Sequence, residues 1–227
     1  MLTIVLAGLL SCLTVLFITP LVIKLAFKLG FVDSPNDRKV HKRIMPRMGG
    51  LSIIIGMTVG FIAADFYSNR VISITVGSFL IFLVGLLDDK YTLSPKLKLF
   101  GQIIVTIIIV RSGLLIEFIN LPVIGKVDLE WLSIPLTILW MLAIINAVNL
   151  IDGLDGLASG ITIICAVTIA IMAGINGNMI IFTICIVLIG SLVGFLRYNF
   201  HPAKIFLGDS GSLLLGYWIS VISLLGL

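Results

Sequence analysis

Charged side chains are scarce in this sequence. Asp, Glu, Lys and Arg make up 11% of its 227 residues, against 59% hydrophobic. Soluble domains carry about 25% charged residues, so this balance, with a mean hydropathy of +1.24, excludes a water-soluble globule. Also lacking is any basic residue ahead of the first apolar stretch, the first lysine being Lys24. A cleaved signal peptide needs a positive region before its apolar run, which excludes that reading of the N-terminus. Cysteine is rare as well. Cys12, Cys165 and Cys185 all fall inside apolar stretches, where a thiol reads as a small packing group rather than a redox partner or ligand.

What the sequence has in abundance is apolar length. A run of about 20 apolar residues spans a bilayer. The chain offers seven such segments and the start of an eighth: 2–23, 49–66, 71–87, 97–112, 132–150, 157–175, 178–196 and 212–227. The expected fold class is therefore all-α, a polytopic membrane bundle of about eight transmembrane helices in a single domain over 1–227. Basic residues set the orientation of such a bundle, because they collect on the cytoplasmic side. Residues 24–48 hold seven, 88–98 add three, and 197–210 add Arg197 and Lys204, so 12 of 15 share one side. Arg70, Arg111 and Lys126 fall on the other. The basic side reads as cytoplasmic and the N-terminus as outside.

The middles of the spans contain no Asp, Glu, Lys or Arg. Ion-coupled transporters place ionisable groups near the midplane, so the pattern disfavours a transporter, the leading reading from another class. Asp33, Asp37, Asp88, Asp89, Asp152, Asp155 and Asp209 instead gather on the cytoplasmic side, which points to an interfacial enzyme.

Four constellations lie on that side. Residues 38–50 run Arg-Lys-Val-His-Lys-Arg-Ile-Met-Pro-Arg-Met-Gly-Gly. The cations suit phosphates or anionic headgroups, and the paired glycines allow close approach of a backbone or ligand. Asp88-Asp89-Lys90 ends the third span. Two carboxylates there oppose the negative end of the helix dipole, so they call for a cation, either lysines or a divalent metal, or else serve to take a proton. Ser94-Pro95 then reads as the N-cap and first turn of a fourth helix, which places the acidic pair in a short connection. Residues 146–160 contain Asn146, Asn149 and two Asp-Gly pairs at Asp152 and Asp155. Such oxygen donors suit Mg²⁺, which takes one or two carboxylates plus substrate phosphates; an EF-hand would need a closing Glu and is excluded. Residues 197–212 end in Phe-Leu-Gly-Asp-Ser-Gly-Ser at the mouth of the last span. Its helix start suits an anion, Asp209 a metal, and Phe206 with Asn199 a nucleobase. The Gly-Asp-Ser-Gly string is not that of a serine protease, since no triad histidine is in reach. Basic groups for phosphates, carboxylates for Mg²⁺ and a lipid-facing body together describe phosphoryl transfer between a soluble nucleotide and a lipid.

These motifs resemble, in order along the whole chain, the bacterial polyprenyl-phosphate N-acetylhexosamine-1-phosphate transferases, which initiate teichoic acid, O-antigen and related polymers. More distantly they are similar to the phospho-MurNAc-pentapeptide transferases of peptidoglycan synthesis. The resemblance implies transfer of N-acetylhexosamine-1-phosphate, GlcNAc-1-phosphate foremost, from a UDP-sugar to undecaprenyl phosphate with release of UMP. It implies Mg²⁺, with Mn²⁺ as an alternative, and a multi-pass protein of the bacterial cell membrane with a cytoplasmic active site. The implied partners are the UDP-sugar, undecaprenyl phosphate and the bilayer, with a second copy of the chain as a candidate and nucleic acid excluded.

By the same resemblance, Asp209 is the main metal ligand, with Asp88 and Asp89 an acidic pair serving catalysis and metal. Asn149 and Asp152 are active-site polar residues, Asp152 counted as catalytic. Asp155, Asn199 and Phe206 match a nucleoside pocket, and Lys42 lies near a basic residue used for substrate phosphate. Asp88 is the candidate to deprotonate or orient the lipid phosphate, and attack by Asp89 to form a covalent intermediate is the open alternative. The sequence departs from the pattern at Thr92, where the peptidoglycan branch has Lys, leaving Lys90 as a substitute without an assigned role. That branch also has Thr where Arg47 stands here, which leans toward the hexosamine branch. The family continues beyond Leu227 with further spans and a histidine-rich loop, so the chain reads as truncated, and an inactive membrane fragment is the second rival.

Overall fold

Every apolar run forms a helix in the computed structural model, which describes residues 1–33, 44–66, 69–123 and 125–226. Helix α1 (Leu2–Leu29) ends at Gly30, whose left-handed φ of 74° lets Phe31 N–H reach back to Ala26 O at 2.9 Å. That turn is open to glycine at no steric cost. A two-residue strand β1 (Val32–Asp33) then pairs antiparallel with β2 (Met45–Pro46). Helices α2 (Gly49–Ala63), α3 (Asn69–Tyr91) and α4 (Pro95–Arg111) follow. As expected, Ser94 caps α4, its Oγ accepting from Leu97 N–H at 3.4 Å, with Pro95 in the first turn. After a hairpin of β3 (Phe118–Leu121) and β4 (Gly125–Asp128) come α5 (Ser133–Ile151), α6 (Leu157–Ile175), α7 (Met179–Asn199) and α8 (Gly208–Leu225).

Six helical segments are long and apolar enough to cross a bilayer: α1, the Val71–Tyr91 part of α3, Glu130–Ile151, α6, α7 and α8. Helices α2 and α4, with 15 and 17 residues, are shorter. Two boundaries depart from the sequence reading in ways that matter for the site. Helix α3 runs on to Tyr91, so Asp88 and Asp89 occupy its last turn rather than a connection. The turn holds because Asp88 Oδ1 accepts the amide of Leu93 at 2.8 Å while Thr92 breaks the helix at a positive φ of 51°. Helix α8 begins at Gly208 rather than Ser212, so the polar string 208–212 is helical. The two short antiparallel strand pairs qualify the all-α expectation. The hairpin escaped it because Pro122 and Gly125 interrupt the segment before any long alternation develops.

Helix α8 is the axis of the bundle, packed against α2, α3, α5, α6 and α7 and buried along almost its whole length. Tyr217, fully buried, donates its hydroxyl to Ile74 O of α3 at 2.7 Å. Around it, α1, α2 and α7 mesh on small residues. A Cβ on Gly190 would lie 2.1 Å from Gly8 O, and one on Gly56 2.3 Å from Val15 Cγ2. Small residues let membrane helices approach backbone to backbone, where van der Waals packing holds them.

Candidate active site at the start of α8

Three segments converge on the first turn of α8, and glycines make the convergence possible. A Cβ on Gly50 would meet Gly211 N at 2.5 Å, and one on Gly85 would meet Asp209 O at 2.4 Å. Gly49 and Gly50 also donate backbone hydrogen bonds to Phe206 O and Leu207 O, at 3.1 and 3.2 Å. Of the two uses open to the paired glycines, the structure shows backbone approach. The Pro-Arg-Met-Gly-Gly segment, the end of α3 and the Phe-Leu-Gly-Asp segment therefore form one unit.

Asp89 sits at its centre with its side chain fully enclosed. Its Oδ1 accepts the amide of Asp209 at 2.8 Å and its Oδ2 that of Ser210 at 2.9 Å. The anion at this helix start is thus the protein's own carboxylate. The start of α8, read from sequence as a site for a substrate anion, already has two of its first amides taken. Arg47 Nε pairs with Asp89 Oδ1 at 3.0 Å, and its Nη2 reaches Asp209 Oδ2.

Asp209 projects from that turn into a cluster. Its Oδ1 accepts from Lys98 Nζ at 2.7 Å and from Asn149 Nδ2 at 2.6 Å. Asn149 also donates to Ser212 Oγ at 2.7 Å. Lys98 Nζ lies 2.8 Å from Asp88 Oδ2 and 3.1 Å from Asn149 Oδ1, so one ammonium binds α3, α5 and α8 together. One turn along, Gln102 and Asn146 exchange amide hydrogen bonds of 3.3 and 2.7 Å between α4 and α5. A cavity of about 450 Å³ opens over the cluster, lined by Arg47, Asp88, Lys98, Asn149 and Asp209 together with Leu93, Leu99 and Leu150.

Asp152 caps the end of α5, its backbone N–H donating to Asn149 O at 3.4 Å, while its carboxylate has no hydrogen-bond partner among the described residues. Burial pushes its carboxyl up to about 7, Arg47 opposing the rise and Asp209 and Asp89 adding to it. Burial also works against the charge on Arg47, but Asp89 and Asp209, with Asp33 and Asp152, hold the guanidinium above its ordinary range.

Asp155, Asn199 and Phe206 belong to a neighbouring frame. Asp155 Oδ2 lies 3.0 Å from His201 Nδ1 and accepts from Ala203 N–H at 3.0 Å. Asn199 donates to Ile205 O at 3.0 Å and accepts from Ser159 Oγ at 3.3 Å. These bonds shape the 200–206 loop, whose Phe206 amide donates to Pro46 O at 2.9 Å. Lys42 lies outside the described residues.

Two cations of the cluster were missed as site residues by sequence reasoning. Lys98 enters the sequence reading only through the positive-inside excess, and Arg47 only as one of the 38–50 cations suited to phosphates and as a branch marker, neither with a site role of its own. The spacing that could have found Lys98 is helical: it falls on the same face as buried Gln102, and Gln102 is the polar residue facing Asn146. Lys90, the substitute weighed for Thr92, points away, donating to Leu29 O at the end of α1 and lying over the Phe31 ring.

The donor chemistry fits a divalent cation. Among the described residues no three acidic or histidine side chains form a ready-made cage. Carboxylates at Asp209 and Asp88 and the amide of Asn149 suit Mg²⁺, which completes its shell with water and phosphate. Asp88, Asp89, Asp152 and Asp209 against Arg47 and Lys98 leave a formal excess of two negative charges.

Six helical segments long and apolar enough to cross a bilayer, with a charge-dense pocket at one helix start, describe a membrane protein with a built polar site. The chain is a member of glycosyl transferase family 4, which matches residues 71–227. It is 53% identical over its whole length to a Bacillus subtilis protein named "Probable undecaprenyl-phosphate N-acetylglucosaminyl 1-phosphate transferase", covering 64% of that protein. It is 35% identical to the decaprenyl-phosphate N-acetylglucosaminephosphotransferase of Mycolicibacterium smegmatis, over 96% of this chain and 59% of that one. The phospho-N-acetylmuramoyl-pentapeptide-transferase of Listeria monocytogenes is 34% identical over 91% of this chain and 70% of its own. The chain thus spans about three fifths of the length of the first two relatives.

Proposed function

We propose that the chain carries the catalytic machinery for transferring GlcNAc-1-phosphate from UDP-GlcNAc to undecaprenyl phosphate, releasing UMP. The observation that supports this most directly is the cavity at the start of α8, whose lining combines acids, amides and two cations with three leucines. A charged nucleotide sugar suits the polar lining residues, and a prenyl phosphate suits the mixture of charged groups and leucines. The sugar in the names of the 53% and 35% identical relatives is N-acetylglucosamine, which favours a UDP-GlcNAc donor over the MurNAc-pentapeptide one.

In this reading the whole chain is one membrane domain whose eight helices cross or enter the bilayer, α2 and α4 included. The site faces the cytoplasm of a bacterial cell membrane and the N-terminus lies outside, as the basic loops require. Mg²⁺, held by Asp209 with Asn149 and Asp88, or Mn²⁺ in its place, would neutralise charge on the diphosphate. Lys98 and Arg47 add positive charge where the transition state gathers negative charge. Asp88 takes the proton of the lipid phosphate or orients it, Lys98 keeping it aimed at the cavity. Asp152 is the second acid beside the diphosphate. Asp155 and Asn199 serve the nucleoside by holding the loop that carries Phe206, and Lys42 completes the phosphate contacts. Asp89, with both oxygens on α8 amides and Arg47 beside it, serves catalysis by fixing Asp209, which favours direct attack by the lipid phosphate over a covalent enzyme intermediate.

The test is UMP release by the purified protein with undecaprenyl phosphate, Mg²⁺ and either UDP-GlcNAc or UDP-MurNAc-pentapeptide. Lipid- and metal-dependent UMP from UDP-GlcNAc is the expected result. Full turnover by Asp209→Asn would overturn the metal assignment, and labelling of the protein by nucleotide sugar alone would overturn direct attack.

A further inference from the structure

Asp209 is the proposed metal ligand, yet both its oxygens already have cationic or amide partners. Oδ1 is held twice, by Lys98 and Asn149. Oδ2 has one partner among the described residues, the Nη2 of Arg47. A carboxylate offers about four lone-pair sites, so Oδ2 keeps one. A divalent cation placed there would sit against the positive group already on that oxygen, and this repulsion favours release of one of the two cations.

The geometry singles out Arg47. Lys98 is 16% exposed and spans Asp88, Asp209 and Asn149, so releasing it would undo three contacts on three helices. Arg47 is 36% exposed, lines the cavity and touches Asp209 through the far end of its fork alone. Its Nε is separately anchored to Asp89, which is itself fixed by two α8 amides. The guanidinium can therefore leave Asp209 Oδ2 by a small rotation while staying tethered to Asp89. Having left, its free N–H groups face the cavity, where a planar fork is suited to phosphate oxygens.

We propose that Arg47 is a stand-in cation: it occupies Asp209 Oδ2 in the ligand-free protein and hands that oxygen to the metal, turning its fork to the diphosphate of the donor. Metal and nucleotide then bind with positive coupling, because each gives Arg47 a reason to change partner. This inference rests on the metal reading given above. It adds that the resident competitor for the metal is a named side chain.

The experiment measures free Mn²⁺ by electron paramagnetic resonance in titrations of the purified protein, with and without UDP. The Arg47–Asp209 contact is a charge-assisted hydrogen bond, and removing such a competitor corresponds to about a tenfold effect or more. Arg47→Gln is therefore expected to bind Mn²⁺ about tenfold more tightly than the parent without nucleotide. UDP should tighten Mn²⁺ about tenfold in the parent and less than about threefold in the variant, since the coupling runs through the missing fork. Lys90→Gln removes the same charge outside the cluster and should leave Mn²⁺ affinity unchanged. Equal or weaker binding by Arg47→Gln, or equal tightening by Lys90→Gln, would overturn the proposal while leaving the metal site standing. Absence of Mn²⁺ binding in parent and variants, with or without UDP, would overturn the metal reading and this inference with it. Should Arg47→Gln fail to fold, Arg47→Lys decides the matter. A single ammonium cannot hold Asp89 and Asp209 as the fork does, so about threefold tightening is expected and unchanged affinity overturns the proposal.

Discussion

Asp89 in the last turn of α3 holds the amide of Asp209 in the first turn of α8 at 2.8 Å, and its second oxygen holds the next amide at 2.9 Å. A carboxylate from one helix thus caps another, 120 residues later in the chain. It explains how two acidic neighbours at a helix C-terminus, an electrostatically poor place, are tolerated: one faces Lys98, and the other faces the positive end of α8 and Arg47.

Replacing Asp89 by Asn should therefore damage the fold before it damages chemistry. The amide would turn an N–H₂ donor toward another donor and leave Arg47 short of a partner. Breaking a buried ion pair from one side costs about 3 kcal/mol or more. The variant should show a lowered unfolding midpoint in detergent as well as lost turnover. A variant of parental stability would show that Asp89 does not hold α8.

Lys98 is expected to behave differently. Lys98→Met keeps much of the side chain's apolar length but leaves Asp88, Asp209 and Asn149 without their shared cation. Loss of a preorganised charge at the reacting groups lowers turnover by about 10² to 10³. Lys98→Arg should not restore it, since a planar fork does not reproduce three contacts to one nitrogen. Restoration by Arg, measured as UMP release, would show that only net charge matters there.

The glycines give a sharper contrast. Gly50→Ala and Gly85→Ala would push a methyl against the α8 backbone at 2.5 and 2.4 Å, an overpacking of about 1–3 kcal/mol or more. Gly160 lies within α6 with open space where a Cβ would go, so Gly160→Ala should be neutral or stabilising through helix propensity. Melting midpoints of the three variants check the ordering.

Asp152 sets a pH dependence. Its carboxyl rises to about 7 in the folded protein, against about 3.9 in an unfolded chain. Between those values the folded state holds a proton that the unfolded state has released, so this group lowers stability as pH rises, until the penalty levels off above 7. Asp152→Asn should therefore melt higher than the parent at pH 8, with the difference shrinking toward pH 4. A difference that is constant across this range would show that Asp152 ionises in the fold as it does in water.

Much of this architecture was legible in the sequence, because a bilayer demands long apolar runs and tolerates few interruptions. The limits of α5, α6 and α7 follow directly from them. Helix α4 is less plain in the sequence, because buried Gln102 and Thr106 dilute its apolar run, Gln102 facing Asn146 of α5. Asp88, Asn149 and Asp209 announced themselves as polar groups at helix ends, and the structure brings them together. The cations that pair with them did not. In a membrane protein every loop lysine or arginine already has a reason to exist, so composition gives no hint that Lys98 and Arg47 turn inward. Nor could spacing reveal that Asp89 caps a helix formed 120 residues later, since that contact exists only once α3 lies against α8.

The glycine contacts around α8 also bear on redesign. At positions 50 and 85 the residue alphabet is closed, because the neighbouring α8 backbone already fills the volume a side chain would need, and at 211 the Leu207 side chain takes that space. Leu93, Leu99 and Leu150 border the same cavity with side chains rather than backbone. A library meant to alter substrate preference has its freedom on these leucines, and variants recovered there would keep the carboxylate frame intact. The protein thus divides into a part that must be inherited whole and a part open to change.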